Sequence, residues 1–247
     1  MVALGKEKTP HIPSLQFLLA YGVDRQDERA LLHVRHTLNQ MLRGGIFDQL
    51  GVASLNIPKT LSGCGQMAAK RSPPMHCLFN CWRNISSASG QKISADTLSD
   101  TFFVEKEMTN SNGWFITSIG EDESWRYYAW RKEEVVATLG EGAALFCDFF
   151  DLSDEGNRQG INVLHQPHDR FAYADTLKMD RDAFYSVMKQ GRDQLLEIRK
   201  QRPALPYNDT VVVSENALMV SAYAQTYTAT GEAVFLKKPR SIWNDSF

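Results

Sequence analysis

Arg181-Asp-Ala-Phe-Tyr-Ser-Val-Met-Lys-Gln-Gly-Arg-Asp-Gln-Leu-Leu-Glu-Ile-Arg-Lys-Gln201 is the stretch whose reading sets the fold class. Phe184, Val187, Met188, Leu195 and Ile198 fall on one stripe of a helix, with charged side chains opposite. At 1.5 Å per residue the helix is roughly 30 Å long. Pro203 and Pro206 end it, because proline cannot donate the next helical hydrogen bond. One apolar stripe has to be buried against other elements, so the flanking sequence should supply partners.

Upstream, Lys132–Leu139 closed by Gly140 reads as a short helix, and Ala143–Phe150 as another. Ser153–Gly160 reads as a loop and Ile161–Leu164 as a short extended piece. Trp114–Ser118 and Trp125–Trp130 are rich in aromatic and β-branched residues, and the acidic turn Gly120–Ser124 lies between them. They are expected to form a β-hairpin with Trp125, Tyr127 and Ala129 on one face and Tyr128 and Trp130 on the other. Asn110–Gly113 is a turn cluster, and a helix carrying Leu98 and Phe102 is expected between Ala95 and Thr109.

The N-terminal part predicts an αα-hairpin. Ser14–Tyr21 forms the first helix and stops near Gly22. Asp27 opens a stronger helix, with Ala30, Leu31, Val34, Leu38, Met41 and Leu42 at helical spacing and Gly44-Gly45 at its exit. Downstream, Ser214 is expected to cap a helix running to about Ala229, with Leu218, Met219, Ala222 and Tyr223 on its apolar face. Gly231 breaks that helix, and another is expected from Glu232. Between the ordered parts, residues 52–95 hold neither a period of two nor one of 3.6, and Pro73-Pro74 interrupts them. The segment reads as an irregular insert or replaced segment.

The 247 residues suit one domain with a sizeable core. Hydrophobic residues at 43% and charged residues at 23% exclude a disordered chain. A net charge of −2 gives no reason to expect nucleic acid or an anionic membrane as partner. No apolar run reaches the roughly 18–20 residues of a membrane span, and the N-terminus has no basic start followed by an apolar run. Four cysteines without regular spacing make no disulfide framework, so the expected location is the cytoplasm with free thiols. Sequons at Asn84, Asn208 and Asn244 carry little weight in that setting.

Five segments stand in a particular order: Met41-Leu-Arg-Gly-Gly-Ile-Phe-Asp-Gln-Leu-Gly51, Glu107-Met-Thr109, Tyr127-Tyr-Ala-Trp-Arg-Lys-Glu-Glu-Val135, Gly156-Asn-Arg-Gln-Gly-Ile-Asn-Val-Leu164 and Asn208-Asp-Thr-Val-Val-Val-Ser-Glu-Asn-Ala-Leu-Met219. Their order and spacing, over residues 10–51 and 96–236, resemble the large proteins related to spermatogenesis-associated protein 20. That resemblance implies a mainly α chain built as a partial (α/α)6 toroid, similar to N-acylglucosamine 2-epimerases and six-hairpin glycosidases, with small β-hairpins. Residues 1–247 would form a single incomplete α/α-toroid domain.

The chain also departs from the family's pattern. These residues hold no Cys-x-x-Cys pair, no thioredoxin-like domain is expected in them, and 52–95 stands where the family has a stretch leading to Pro-His-Phe-Glu-Lys. The Asp-Ala-Asp-Ser motif is matched by Glu121-Asp-Glu-Ser124, Asp-Asp-Lys by Asn208-Asp-Thr210, and Trp-Asn-Gly-Leu-Met by Glu215-Asn-Ala-Leu-Met219. On that resemblance, the later hairpins that would close the ring are expected to be absent. The expectation is an altered barrel whose open edge favours self-association.

Sugar chemistry needs a proton donor and an acceptor across a ring carbon or glycosidic oxygen. Asp122 and Asp209 are the candidate catalytic carboxylates, and Asp48 and Glu123 are further acids in the family-like loops. Asn157, Asn162 and Asn216 are candidate binders of sugar hydroxyls, since an amide both donates and accepts. The acids also read as solvated loop acids or turn caps, which loops favour, and the amides equally as caps of the loops. Gly44-Gly45 and Gly156 with Gly160 read as a helix stop and a tight turn rather than a ligand cradle. His33, His36 and the His165-x-x-His168 pair do not make a metal site, and Cys64, His76, Cys77 and Cys81 do not resemble a zinc module. No cofactor or metal is expected. Two readings follow: a helical interaction module without complete catalytic machinery, or a carbohydrate-active epimerase- or hydrolase-like enzyme acting on a small sugar. At least three of the four loops at 44–51, 113–124, 156–162 and 208–216 are expected to share one end of the bundle, with Asp122 and Asp209 facing a common cleft.

Overall fold

The computed structural model describes residues 2–4, 7–9, 12–45, 47–51, 53–54, 70–71, 108–116, 118–120, 125–231 and 233–236. Along them run β1 (Val2–Leu4), β2 (Glu7–Thr9), α1 (Ile12–Arg25), α2 (Glu28–Arg43), β3 (Phe47–Asp48), β4 (Ala53–Ser54), β5 (Lys70–Arg71) and β6 (Ser118–Ile119). There follow α3 (Trp125–Tyr128), β7 (Ala129–Trp130), α4 (Lys132–Leu139), α5 (Ala143–Phe149), β8 (Asn162–Val163), α6 (Arg170–Thr176), α7 (Arg181–Lys200), β9 (Tyr207–Asn208) and α8 (Val213–Thr230). The protein is mainly helical, and its short strands pair antiparallel as β1–β2, β3–β4, β5–β6–β9 and β7–β8.

Aspartates start three of the helices for one physical reason. The first amides of a helix have no partner within it, and a short carboxylate just outside the first turn supplies one. Asp27 accepts from the amides of Arg29 and Ala30, Asp169 from Phe171 and Ala172, and Asp180 from Asp182 and Ala183. The first and last of these helices match the reading of the sequence. α6 lies in a stretch from which no element was expected.

α7 organises the main core. It packs on α4, α5 and α6, burying Phe184, Met188 and Leu195 with Trp130, Val135, Phe146, Phe149, Phe150 and Leu164. Gly191 permits the close approach: a Cβ there would lie 2.8 Å from the Phe146 ring and 3.3 Å from Leu139. α1 packs along α2, with Gly22 against Ala30 and Leu31 where the chain turns back. A second cluster joins Met108, Phe115 and Ile116 to Met219, Tyr223 and Phe235.

The expected hairpin between Trp114–Ser118 and Trp125–Trp130 does not form. Trp125–Tyr128 is a helical turn, so Trp125 and Tyr128 are buried together at a spacing of three. Ala129–Trp130 then pairs with Asn162–Val163. The turn at Asn110–Gly113 instead closes a short ladder of its own, with Ile116 N donating to Met108 O and Asn110 N to Trp114 O. Two details at α8 also differ. It begins at Val213 after Val212, without a side-chain cap, so Ser214 lies inside it. Leu218 is exposed while Met219 and Tyr223 are buried. Gly231 ends α8 in the left-handed conformation, φ 72°, as a glycine stop should.

Of segment 52–95, the strand pieces 53–54 and 70–71 are described, paired with β3 and β6. The remainder, which holds Cys64, His76, Cys77 and Cys81, lies outside the described residues. So do most of the helix expected between Ala95 and Thr109 and the start expected at Glu232. No helix among the described residues is long and apolar enough to cross a membrane.

Candidate functional site

The loop leaving α2 carries the first candidate acid. Gln49 folds back to cap the helix end, its amide donating to Leu42 O at 2.9 Å and Gly44 O at 3.2 Å. The Gln49 side-chain oxygen accepts from Gln166 Nε2 at 2.6 Å, and Arg43 Nε donates to Gln166 O at 3.1 Å. These contacts bind residues 43–51 to the chain before α6 and hold Asp48 inward, where it is 4% exposed.

Asp48 Oδ1 accepts from Arg199 Nη1 at 2.7 Å and from Leu50 N at 3.1 Å. The guanidinium is also buried, with its carbon 5.3 Å from the Tyr128 ring centre and 5.7 Å from that of Tyr127. Burial alone would lower the Arg199 pKa, but the charge and hydrogen bond of Asp48 outweigh it and raise the value. Gly51 lies over the pair so closely that a Cβ would stand 2.6 Å from Arg199 Nη2 and 2.7 Å from Asp48 Oδ2. The carboxylate is thus closed in by protein groups on the sides the structure describes.

One turn further, Arg202 ties the end of α7 to α3 and β7. Its Nη1 donates to Tyr127 O and Ala129 O at 2.7 and 2.8 Å, and its Nη2 to Glu134 Oε1 at 2.8 Å. The guanidinium carbon stacks 4.0 Å from the Trp130 ring centre. Sequence reasoning missed Arg199, Arg202, Gln49 and Gln166. Only Arg199 had a readable signal: it follows Leu195 by four, which places a charge on the buried stripe.

The three candidate amides share one behaviour. Asn157 exchanges two hydrogen bonds with the backbone of Val163, at 2.8 and 2.9 Å. Asn162 accepts from Ser153 N at 3.1 Å and donates to Ser153 O at 2.9 Å and Trp130 O at 3.4 Å. Asn216 accepts from Phe115 N and donates to Phe115 O, both at 2.9 Å, and reaches Val212 O at 3.1 Å. In each case the side chain stands in for a strand partner, satisfying main-chain groups that the short ladders leave over.

Asp209 is exposed beside β9. Asp122 and Glu123 lie outside the described residues. β6 and β9, together with Asn216, join the loops around 113–119 and 207–216. β7, β8 and Asn162 join 129–130 to 153–163, and the end of α7 reaches both this unit and the 44–51 loop through Arg202 and Arg199. The β6–β9 ladder is antiparallel, with Ile119 opposite Tyr207 and Gly120 N donating to Pro206 O. The chain therefore leaves it past Gly120 at one end and past Asp209 at the other. Among the described residues no group of three or more His, Cys, Asp or Glu side chains could hold a metal ion.

Compared with curated proteins, the chain is 25% identical to human spermatogenesis-associated protein 20, over 92% of the chain and 34% of that protein. The mouse protein is 25% identical over 92% of the chain and 33% of its own length. An uncharacterized protein of Caenorhabditis elegans is 22% identical over 94% of the chain and 36% of its length. No protein-family model matches. The chain is homologous to spermatogenesis-associated protein 20 and spans about a third of the length of these relatives.

Proposed function

We propose that this chain is a partial α/α-toroid module related to the epimerase-like part of such proteins, working as a helical interaction module without complete catalytic machinery. The observation that carries this reading is the enclosure of Asp48 by Arg199, Leu50 N and Gly51. A carboxylate so held fastens the loop after α2 to the end of α7, and among the described residues it is enclosed rather than presented to a ligand. The backbone engagement of Asn157, Asn162 and Asn216 supports the same view, because an amide already satisfied by main chain has little left to offer a hydroxyl. The open edge of an incomplete ring would be the contact surface, including contact with a second copy, and the setting would be cytoplasmic.

The carbohydrate-active alternative draws on Asp209, which is exposed in a loop that β6 and β9 hold against residues 113–119. It would use Asp209 and Asp122 as the acid–base pair, with Glu123 beside them. The two readings separate in one experiment. Neutral hexoses, N-acetylhexosamines and disaccharides are incubated with the protein and followed by proton NMR, in parallel with Asp209→Asn and Asp122→Asn. The module reading expects no epimerisation or hydrolysis above buffer. Turnover by the parent chain that either substitution abolishes would replace it with the enzyme reading.

A further inference from the structure

Between α6 and the first turns of α7 lies a cavity of about 280 Å³, and Asp48, Arg199 and Gly51 are not among its lining residues. Its floor is apolar, formed by Phe149, Phe150 and Phe184 of the main core. Its walls include Phe171 and Tyr185, two aromatic side chains left 48% and 53% exposed. Soluble proteins normally turn large rings inward, and two exposed rings at one cavity are a recognition feature.

The charged lining consists of Arg170, Arg181, Lys189 and Arg192 against Asp182. Two of the cations are already matched: Arg181 by Asp175 at 2.6 Å and Lys189 by Asp193 at 2.5 Å. Among the described residues Arg170 and Arg192 make no ion pair. Arg192 lies near enough to Lys189 to oppose its charge. Arg170 and Arg181 both stack on Phe171, 5.1 and 5.3 Å from its ring centre, so the ring and the cations are held as one wall. Guanidinium groups recognise planar or tetrahedral anions with two donors at once, and an aromatic wall adds a face for a flat body.

We propose that this cavity is a binding site for a small organic anion, one phosphate or carboxylate group on an aromatic body, with Arg170 and Arg192 receiving the anion and Phe171 and Tyr185 flanking the ring. The volume fits such a molecule and is small for a folded peptide. Neither Asp48 nor Asp209 is among the lining residues, so the proposal does not rest on whether the loops act on sugars.

The test uses naphthyl phosphate as probe, with inorganic phosphate and naphthol as its two halves, titrated calorimetrically into the whole chain. Saturable binding of naphthyl phosphate is expected, at least about tenfold tighter than either half alone, since anion and ring contacts add. Arg170→Gln and Arg192→Gln are each expected to weaken it about tenfold, the loss of one charge-assisted contact. Asp182→Asn, which removes the opposing charge and leaves both arginines, is expected to tighten binding. Circular dichroism identical to the parent shows that each variant is folded. Naphthol binding as tightly as its phosphate, or folded arginine variants binding like the parent, would overturn the proposal. Absence of saturable binding by the parent would do so as well.

Discussion

Asp48 and Arg199 are 151 residues apart in the chain and 2.7 Å apart in the fold. Their contact fastens the loop after α2 to the end of α7, and neither group is more than 6% exposed. Breaking one side of a buried pair leaves the other charge without its counterpart. Arg199→Met is expected to lower stability by about 3–5 kcal/mol, and Asp48→Leu with Arg199→Met to regain most of it. Urea denaturation of the three proteins measures this. A single variant with the parent's midpoint would remove the bracing role assigned to the pair.

The bracing amides should behave as structural groups. Asn216→Leu deletes the acceptor of Phe115 N and the donor to Phe115 O. Buried main-chain groups left without partners cost about 1–3 kcal/mol, so a loss of that order is expected. Faster hydrogen exchange at the Phe115 amide than in the parent would locate the effect; an unchanged rate would show that another group had taken over.

Tyr173 offers a pH test. Burial first, then its hydrogen bond to Asp148 and that carboxylate's charge, push the phenol from 10.0 to about 12. In the unfolded chain the proton leaves near 10, whereas the folded protein keeps it to about 12. Within that window the unfolded state binds fewer protons, so stability falls as pH rises. The contribution is whole below pH 10 and gone above about 12. Tyrosinate absorbance should show one late-titrating group that disappears in Tyr173→Phe, and the variant should lose less stability over the same window. Equal slopes for both proteins would contradict the assignment.

The contact at Gly191 predicts intolerance of size. Gly191→Val would press on Phe146 and Leu139, where α7 crosses α5 and the end of α4. Overpacking of this kind costs about 1–3 kcal/mol. A thermal midpoint at or above the parent's would mean that the core can give at this point.

The parts legible in the sequence were those governed by local rules. Asp27 announces a helix because an N-cap acts within three residues, and the Phe184–Ile198 stripe is visible because helical spacing repeats over about four turns. The aromatic run at Trp125–Trp130 misled because its residue types favour strands, while the burial of Trp125 with Tyr128 calls for a helical turn. α6 was missed because seven residues are too few for a period to declare itself. Asp48 was recognised as a residue of interest, but its partner was not: nothing local links it to an arginine at the far end of another helix. The same holds for Asn162 and Asn216, whose partners are main-chain groups brought near by the folded path.

The separation of Asp48 from Arg199 also sets an order of events during synthesis. The contacts of α1 with α2 are available as soon as Arg43 has been made, whereas the carboxylate must wait for a guanidinium 151 residues later. At roughly 5–20 residues per second, that interval is on the order of 8–30 s. Through it the loop after the nascent N-terminal hairpin lacks the guanidinium that fastens it, and its closure onto the end of α7 becomes a late, long-loop step. A ribosome pausing before codon 199 would hold the chain in this unclosed state.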